Sequence, residues 1–306
     1  MTEIVLHEMG IRDGLQIEKQ VVPTEQKIRW IETLIGSGID IIQVGSFVHP
    51  EKVPQMADTD RLFAHFTAPG RKARPVVLSG LVLNERGLER GLACGVEQFC
   101  MGVSASEAHS RKNTGMGTDE AVRRIIPMAQ RVKAEGRPVQ VSVQSAFGCG
   151  MEGTIPAERV LKIVRAYLDA GLRLISLADS AGHALPGQVE ELYGAVLALD
   201  PGVECACHFH DTYGLGMANT LAAVKAGVKY VEAAFAGIGG CPFTAATGGN
   251  LATEDFLYYL QRTGRRRDID LAPIIAVASE AGRFFGRSLP GAVHRIGPIA
   301  PTVPGR

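Results

Sequence analysis

The sequence predicts an α/β chain whose parallel strands close into a (βα)8 barrel with a short C-terminal helical extension. Three observations carry this. Short apolar runs alternate with longer amphipathic ones eight times within about 265 residues, close to the length such a barrel uses. Most of the short runs are apolar throughout, as expected when both faces of a parallel sheet are covered. The turn after the first run, Gly10-Ile11-Arg12-Asp13-Gly14, lacks the Gly-x-Gly-x-x-Gly spacing that an open doubly wound sheet of this size usually carries.

In chain order the strands are read at 4–8, 39–46, 76–81, 97–103, 139–144, 172–179, 203–210 and 230–234. The helices between and after them fall at 24–35, 61–68, 84–93, 119–135, 156–170, 187–198, 215–226 and 251–261. Pro23 with Thr24, and Pro156 after Thr154, mark helix starts. Gly36, Gly95, Gly171 and Gly227 stand just before the next strand, where a left-handed C-cap is needed. After Gly264 the composition changes: Arg265-Arg266-Arg267 reads as a solvated basic face, 271–285 as a helix, and 289–306 is rich in Pro and Gly. We therefore expect one catalytic barrel over 1–265, with 266–306 as a helix and tail capping it.

Composition excludes several function classes. The 306 residues carry 32 Lys+Arg against 32 Asp+Glu, so the basic excess of a nucleic-acid protein is missing. No apolar run approaches the roughly 18 residues needed to span a bilayer, and residues 1–10 lack the basic start of a signal peptide. A cytoplasmic protein is expected. Six scattered cysteines do not make a disulfide scaffold, and Cys205-Ala206-Cys207 has no second pair to complete a structural zinc site. Cys94, Cys100, Cys149, Cys205 and Cys207 read as reduced, buried thiols.

In a barrel, chemistry sits at the carboxyl ends of the strands. There the sequence places Glu8 to Gln16, Ser176 to Ser180, His208 to Thr212 and the loops around Cys241 and Asn250. Alternation along a strand turns His208 and His210 to one side, so both imidazoles can meet one ion. Asp13 and Asn250 would add oxygen ligands. Two His, one Asp and one Asn suit a six-coordinate divalent ion with open positions, Mg²⁺, Mn²⁺ or Zn²⁺, better than a closed structural zinc. Cys241, in the Gly-rich stretch Gly237-Ile238-Gly239-Gly240-Cys241-Pro242-Phe243, is the one functional cysteine expected; a thiol with pKa near 8.5 can exchange a proton near neutral pH.

These same stretches carry a resemblance. Gly10-Ile11-Arg12-Asp13-Gly14-Leu15-Gln16, His208-Phe209-His210-Asp211-Thr212-Tyr213-Gly214, the Cys241-Pro242 loop and Gly249-Asn250-Leu251-Ala252-Thr253-Glu254-Asp255 resemble the 3-hydroxy-3-methylglutaryl-CoA lyase family. So do Ser46-Phe47-Val48, Val53-Pro54-Gln55-Met56 and Ala105-Ser106-Glu107. The wider group comprises metal-dependent lyases and Claisen condensing enzymes on TIM barrels.

The resemblance spans about residues 3 to 262 and implies retro-Claisen cleavage of a 3-hydroxyacyl-CoA to a keto acid and acetyl-CoA. By analogy Asp13, His208, His210 and Asn250 hold the ion, which lowers the pKa of the substrate hydroxyl. Arg12 stabilises developing negative charge on oxygen. Cys241 protonates the acetyl-CoA enolate, and Asp179 helps remove the hydroxyl proton, with His208 as a second candidate. Gln16, Gln43, Ser142 and Gln144 line the acyl pocket. Lys19, Arg111 and Lys112, in strand-to-helix connections, are candidates for the phosphates of CoA, and a homodimer is expected from the family alone.

Two departures stand out. Gln43 replaces the family's usual Glu, the ionic partner of the Arg-Asp motif, so Arg12 keeps a hydrogen bond at most. Ser142 and Gln144 stand where the family resembles Tyr and Ser. They leave (R)-citramalyl-CoA open as an alternative substrate, with Gln144 filling the space of a missing methylene. A condensing synthase fits less well, since only about 40 residues follow the barrel, and an inactive binding homologue has only Gln43 in its favour.

Overall fold

The computed structural model describes residues 4–240 and 248–299. Eight parallel strands close a barrel in sequence order: β1 Val5–Glu8, β2 Ile41–Ser46, β3 Val77–Leu81, β4 Gln98–Ser104, β5 Val139–Gln144, β6 Leu174–Asp179, β7 Glu204–Phe209 and β8 Tyr230–Ala233. Closure is made by β1 on β8, with Val5 opposite Tyr230 and Glu8 opposite Ala233. Outside lie α1 Thr24–Ser37, α2 Thr59–Thr67, α3 Glu85–Ala93, α4 Glu107–Thr114, α5 Thr118–Ala134, α6 Ala157–Asp169, α7 Pro186–Leu197, α8 Gly216–Ala226 and α9 Thr253–Arg262. Then follow α10 Leu271–Phe285 and the single turn α11 Val293–Ile296. Among the described residues no helix is long and apolar enough to cross a membrane.

The helices form because their apolar residues recur at helical spacing. In α1, Lys27, Trp30, Ile31, Leu34 and Ile35 form the buried stripe. That helix runs through Gly36 and closes instead on Gly38, whose φ of +86° supplies the left-handed cap. Gly95, Gly171 and Gly227 do take positive φ where a helix end was expected. The short α4, read from sequence as loop, starts on Ser106, whose hydroxyl accepts the amide of His109 at 3.1 Å.

The two faces of each strand differ more than continuous apolar runs would suggest. On β5, Val141 and Val143 belong to the apolar core, whereas Gln140, Ser142 and Gln144 line the barrel cavity. Gln43, Cys100, Ser176, His208 and Glu232 line it from the other strands. A barrel interior is ordinarily filled by branched aliphatics. Here the upper layers are polar, because they are the walls of the site.

Helix α10 packs beside α1 and α9 on the outer wall. Trp30 of α1 meets Phe284 of α10 edge-on at 6.0 Å and Phe235 at 5.7 Å. Arg266 is not the solvated residue its basic run suggests. Its guanidinium reaches both carboxylate oxygens of Asp40 at 2.6 and 2.9 Å and the carbonyl of Ile4, tying the amino ends of β1 and β2 to the segment before α10.

Candidate active site

The carboxyl ends of the strands open onto a cavity of about 840 Å³. Glu8, at the end of β1, is fully buried and anchors the turn that leads to the cavity. One of its oxygens accepts the amides of Gly10 (2.6 Å) and Phe235 (3.0 Å), and the other accepts the Thr253 hydroxyl at 2.6 Å. Glu8 thereby joins the ends of β1 and β8 to the start of α9. Gly10 must be glycine, since a Cβ there would lie 2.4 Å from the Phe235 ring. From this anchor Gly10–Gly14 forms one π-helical turn, with the amides of Asp13 and Gly14 both donating to the Met9 carbonyl. The turn sets Arg12 and Asp13 side by side, Nη1 to Oδ1 at 2.6 Å, and Arg12 Nε donates to Gln43 Oε1. The hydrogen bond expected in place of the family's ion pair is present.

Opposite Asp13 stand the two histidines at the end of β7. Their Nε2 atoms are 3.1 Å apart, and each lies 3.8 Å from Asp13 Oδ2. The other nitrogen of each ring faces an acceptor: His210 Nδ1 donates to the Ser180 carbonyl at 3.1 Å, and His208 Nδ1 lies 3.0 Å from Glu232 Oε2. With the protons on Nδ1, two Nε2 lone pairs and a carboxylate converge on one point, an arrangement that repels itself unless a cation joins it. Burial works against the charge of Asp13, yet Arg12 and the two imidazoles hold its carboxyl well below the usual range.

Asn250 completes the group. Its Nδ2 donates to Asp13 Oδ2 and to the Ile238 carbonyl, both at 2.9 Å, and its buried Oδ1 meets no hydrogen-bond partner among the described residues. Gly249 presents it: φ is +80°, and a Cβ there would lie 1.9 Å from the Gly237 carbonyl oxygen. The three titratable groups offer ligand atoms all within 4.8 Å of one another. The oxygen and nitrogen donors, with one orphaned amide oxygen, fit a divalent ion.

Arg12, Asp13, Gln16, Gln43, Ser142, Gln144, His208 and His210 all line the cavity. Asp179 does not: both its oxygens are taken, at 2.9 Å each, by the amides of His183 and Ala184, so it clamps the loop after β6. Nor do Lys19, Arg111 and Lys112 line it. Lys19 is exposed, and α4 places Arg111 one turn from Glu107, with which it pairs at 2.7 Å. Besides Arg12 and the two histidines, the basic groups at the cavity are His49, Lys52, Arg86, His109 and Arg124. Cys241 lies outside the described residues. The five other cysteines are free thiols, and burial pushes Cys100 and Cys205 up to about 12, so they are poor nucleophiles.

Sequence reasoning missed Glu232, Gln140 and His7. All three are buried inside the barrel, where Gln140 donates to Glu232 and His7 Nε2 contacts Ser79 Oγ at 2.7 Å. The signal for Glu232 was present: an acid interrupting the apolar strand Tyr230–Ala233 has to find a partner inside.

A closed parallel barrel with a histidine pair, a carboxylate and an arginine gathered at its carboxyl mouth defines a barrel enzyme. Comparison with known proteins narrows it. The HMGL-like family model matches residues 3–280. A hydroxymethylglutaryl-CoA lyase of Bacillus subtilis is 34% identical over 94% of this chain and 95% of its own length. An (R)-citramalyl-CoA lyase of Chloroflexus aurantiacus is 34% identical over 99% and 98%. Among solved structures, an HMG-CoA lyase from Acinetobacter baumannii in complex with coenzyme A and 3-methylmalate superposes with a TM-score of 0.90 at 31% identity, covering 99% of this chain and 98% of that one. The chain belongs to the HMGL-like family and is a lyase.

Proposed function

We propose that the protein is a divalent-metal-dependent acyl-CoA lyase that cleaves a 3-hydroxy-3-methylglutaryl-CoA-type thioester into a keto acid, acetoacetate for that substrate, and acetyl-CoA. The observation that carries this reading is the convergence of His208 Nε2, His210 Nε2 and Asp13 Oδ2 beside Arg12 at the mouth of a cavity large enough for an acyl chain. Asp13, His208, His210 and Asn250 would hold the ion, Mg²⁺ or Mn²⁺ by their donor set, with Zn²⁺ also compatible. When bound, such an ion supplies Lewis acidity toward the hydroxyl and carboxylate oxygens of the substrate.

The chain's own groups do the rest. With Asp179 or His208 as the base by family resemblance, loss of the hydroxyl proton turns C3–O into the keto carbonyl as the C2–C3 bond breaks, its electron pair passing to the thioester as an enolate. Arg12 is the fixed cation beside the site, oriented by Gln43 and Asp13, and stabilises oxygen as negative charge develops. By family resemblance, Cys241 gives the proton that converts the enolate to acetyl-CoA. Asp179 also fixes the loop after β6 by accepting the amides of His183 and Ala184. Lys52 and Arg86, at the cavity and exposed, suit the phosphates of CoA better than Lys19, Arg111 or Lys112.

A second substrate reading, (R)-citramalyl-CoA giving pyruvate and acetyl-CoA, is favoured by Gln144 in the cavity wall and by the Chloroflexus relative. The test is a product assay over a panel of 3-hydroxy-3-substituted acyl-CoA thioesters with Mg²⁺ or Mn²⁺ supplied. Release of acetyl-CoA that stops with a chelator supports the lyase reading, and no cleavage of any member sinks it. Hydroxymethylglutaryl-CoA turned over as well as or better than citramalyl-CoA removes the second reading.

A further inference from the structure

We propose that Glu232 is a positioning residue for the ion site, acting from inside the barrel to fix which nitrogen of His208 carries the proton and how the ring is turned. The inference rests on the metal-dependent reading above, but concerns a residue that neither the sequence motifs nor the donor set includes.

The fold makes the contact. Glu232 on β8 and His208 on β7 are direct cross-strand partners, so their side chains leave neighbouring backbones on the same side of the sheet. Glu232 is 5% exposed, too buried to exchange this partner for water. Its two oxygens are differently engaged. Oε1 accepts from Gln140 Nε2 and lies 3.9 Å from His7 Nδ1. Oε2 lies 3.0 Å from His208 Nδ1 as an ion-pair contact, and among the described residues that buried nitrogen has no hydrogen bond elsewhere. Gln140, two strands away from β7, thus pins one oxygen and leaves the other for the histidine.

His7 does not compete for the charge. Burial pushes its pKa down to about 4, and its Nε2 is occupied by Ser79, so it stands neutral under the carboxylate. Among the described residues the ion-pair partners of Glu232 are these two histidines.

A carboxylate that accepts the Nδ1 proton leaves Nε2 as a lone pair aimed at Asp13 and His210, and it raises the basicity of the ring as a ligand. His210 is oriented by the Ser180 carbonyl, a weaker and neutral acceptor. The charged partner under one of the two rings would partly offset the charge of an ion held by Nε2.

The experiment uses the full chain, stripped of metal and titrated with Mn²⁺, with free Mn²⁺ followed by electron paramagnetic resonance. Glu232→Gln keeps the size and one acceptor oxygen but removes the charge. It should raise the Kd for Mn²⁺ about 10- to 100-fold, the usual effect of losing such a partner. The melting temperature of the metal-free protein should stay within a few degrees. Glu232→Asp, which retains the carboxylate, should fall between. Mn²⁺ affinity within twofold of wild type in Glu232→Gln overturns the proposal, as does a lost melting transition with unaltered affinity, which would mark a purely structural role.

A second measurement needs no variant. In ¹⁵N spectra of the Zn²⁺-loaded wild type, His208 should carry a slowly exchanging proton on Nδ1, and a proton on Nε2 overturns the proposal. A protein that binds Mn²⁺ in a Glu232-dependent way yet cleaves no thioester sinks the lyase reading and leaves this inference standing.

Discussion

The Nε2 atoms of His208 and His210 face each other at 3.1 Å, while their Nδ1 atoms point to Glu232 and to the Ser180 carbonyl. Only a proton or a metal ion relieves two lone pairs at that distance. Burial disfavours the charged form of His208, but the carboxylates of Glu232 and Asp13 outweigh it and raise its pKa above the ordinary histidine value. Proton and ion therefore compete for one position. Apparent Mn²⁺ affinity should fall as pH drops and His208 takes up its proton, and binding to the protonated form should release that proton. Calorimetry in two buffers of different ionisation enthalpy measures that proton, and binding with no proton release would contradict the arrangement.

Glu8 offers a pH effect on stability that is independent of the ion. Burial pushes its carboxyl from 4.5 up to about 7, against three hydrogen bonds that favour the charge. Because the folded pKa is the higher one, the native state holds the proton more tightly between pH 4.5 and 7. The stabilisation is complete below that window and is lost as pH rises through it. The shift corresponds to on the order of 3 kcal/mol. A glutamine can accept from Gly10 and Phe235 and turn its amide toward Thr253. Glu8→Gln should therefore lose less stability than wild type between pH 5 and 8 in urea melts, and parallel pH profiles would refute the account.

Much of the fold and half of the site could be read from the chain. The alternation of apolar runs and amphipathic stretches placed every strand. The i, i+2 spacing of His208 and His210 was enough to pair them, because strand geometry leaves no other outcome. What could not be read was which partner each polar side chain takes, near or far along the chain. Asp179 sits at a strand end like a catalytic acid, and only the turn at 183–184 shows that its oxygens are spent on backbone amides. Arg111 looked available until α4 placed Glu107 one turn before it. Glu232 and Gln140 are 92 positions apart, and no local pattern joins them.

Arg266 belongs to the same class of long-range contacts, and its cost of removal is measurable. Its side chain is 8% exposed and binds Asp40 through two nitrogens, while Asp40 also accepts the Leu6 amide at 2.8 Å. Arg266→Ala leaves that carboxylate facing the barrel's lower rim without its cation. Since Asp40 keeps 31% of its side-chain surface in water, the loss should be roughly 2 kcal/mol, below the 3–5 typical of a fully buried broken pair. Arg265→Ala or Arg267→Ala should cost less. Equal effects on unfolding by urea at all three positions would restore the reading of the run as a solvated face.

Ser142 tests how the wall of the cavity selects a substrate. A Cβ on neighbouring Gly102 would lie 1.9 Å from the serine Oγ, so the wall behind the side chain has no room to give. A tyrosine at 142, as in the family pattern, must project into the cavity and narrow it. Ser142→Tyr should shift the ratio of kcat/KM between the smaller and the larger 3-substituted thioesters toward the smaller by about 10-fold, the usual worth of a methylene in such a pocket. An unaltered ratio would mean that position 142 does not meet the acyl group.

Gln43 bears on the charge balance of the whole site. As built, the mouth holds Arg12 against Asp13, with Glu232 below and His7 neutral, and Gln43 orients Arg12 without neutralising it. Gln43→Glu adds one negative charge at the same distance from Arg12. At an effective dielectric constant near 20, a unit charge roughly 8 Å from a divalent ion is worth about 4 kcal/mol. It attracts the ion and repels an anionic acyl substrate, so the two measurements should move in opposite directions. Mn²⁺ should bind 10-fold tighter or more, while KM for a carboxylate-bearing thioester rises by a similar factor. If both affinities weaken together, the substitution has disturbed the Arg12–Asp13 turn and the charge argument fails. If neither changes, the charge of Arg12 is not what meets the substrate.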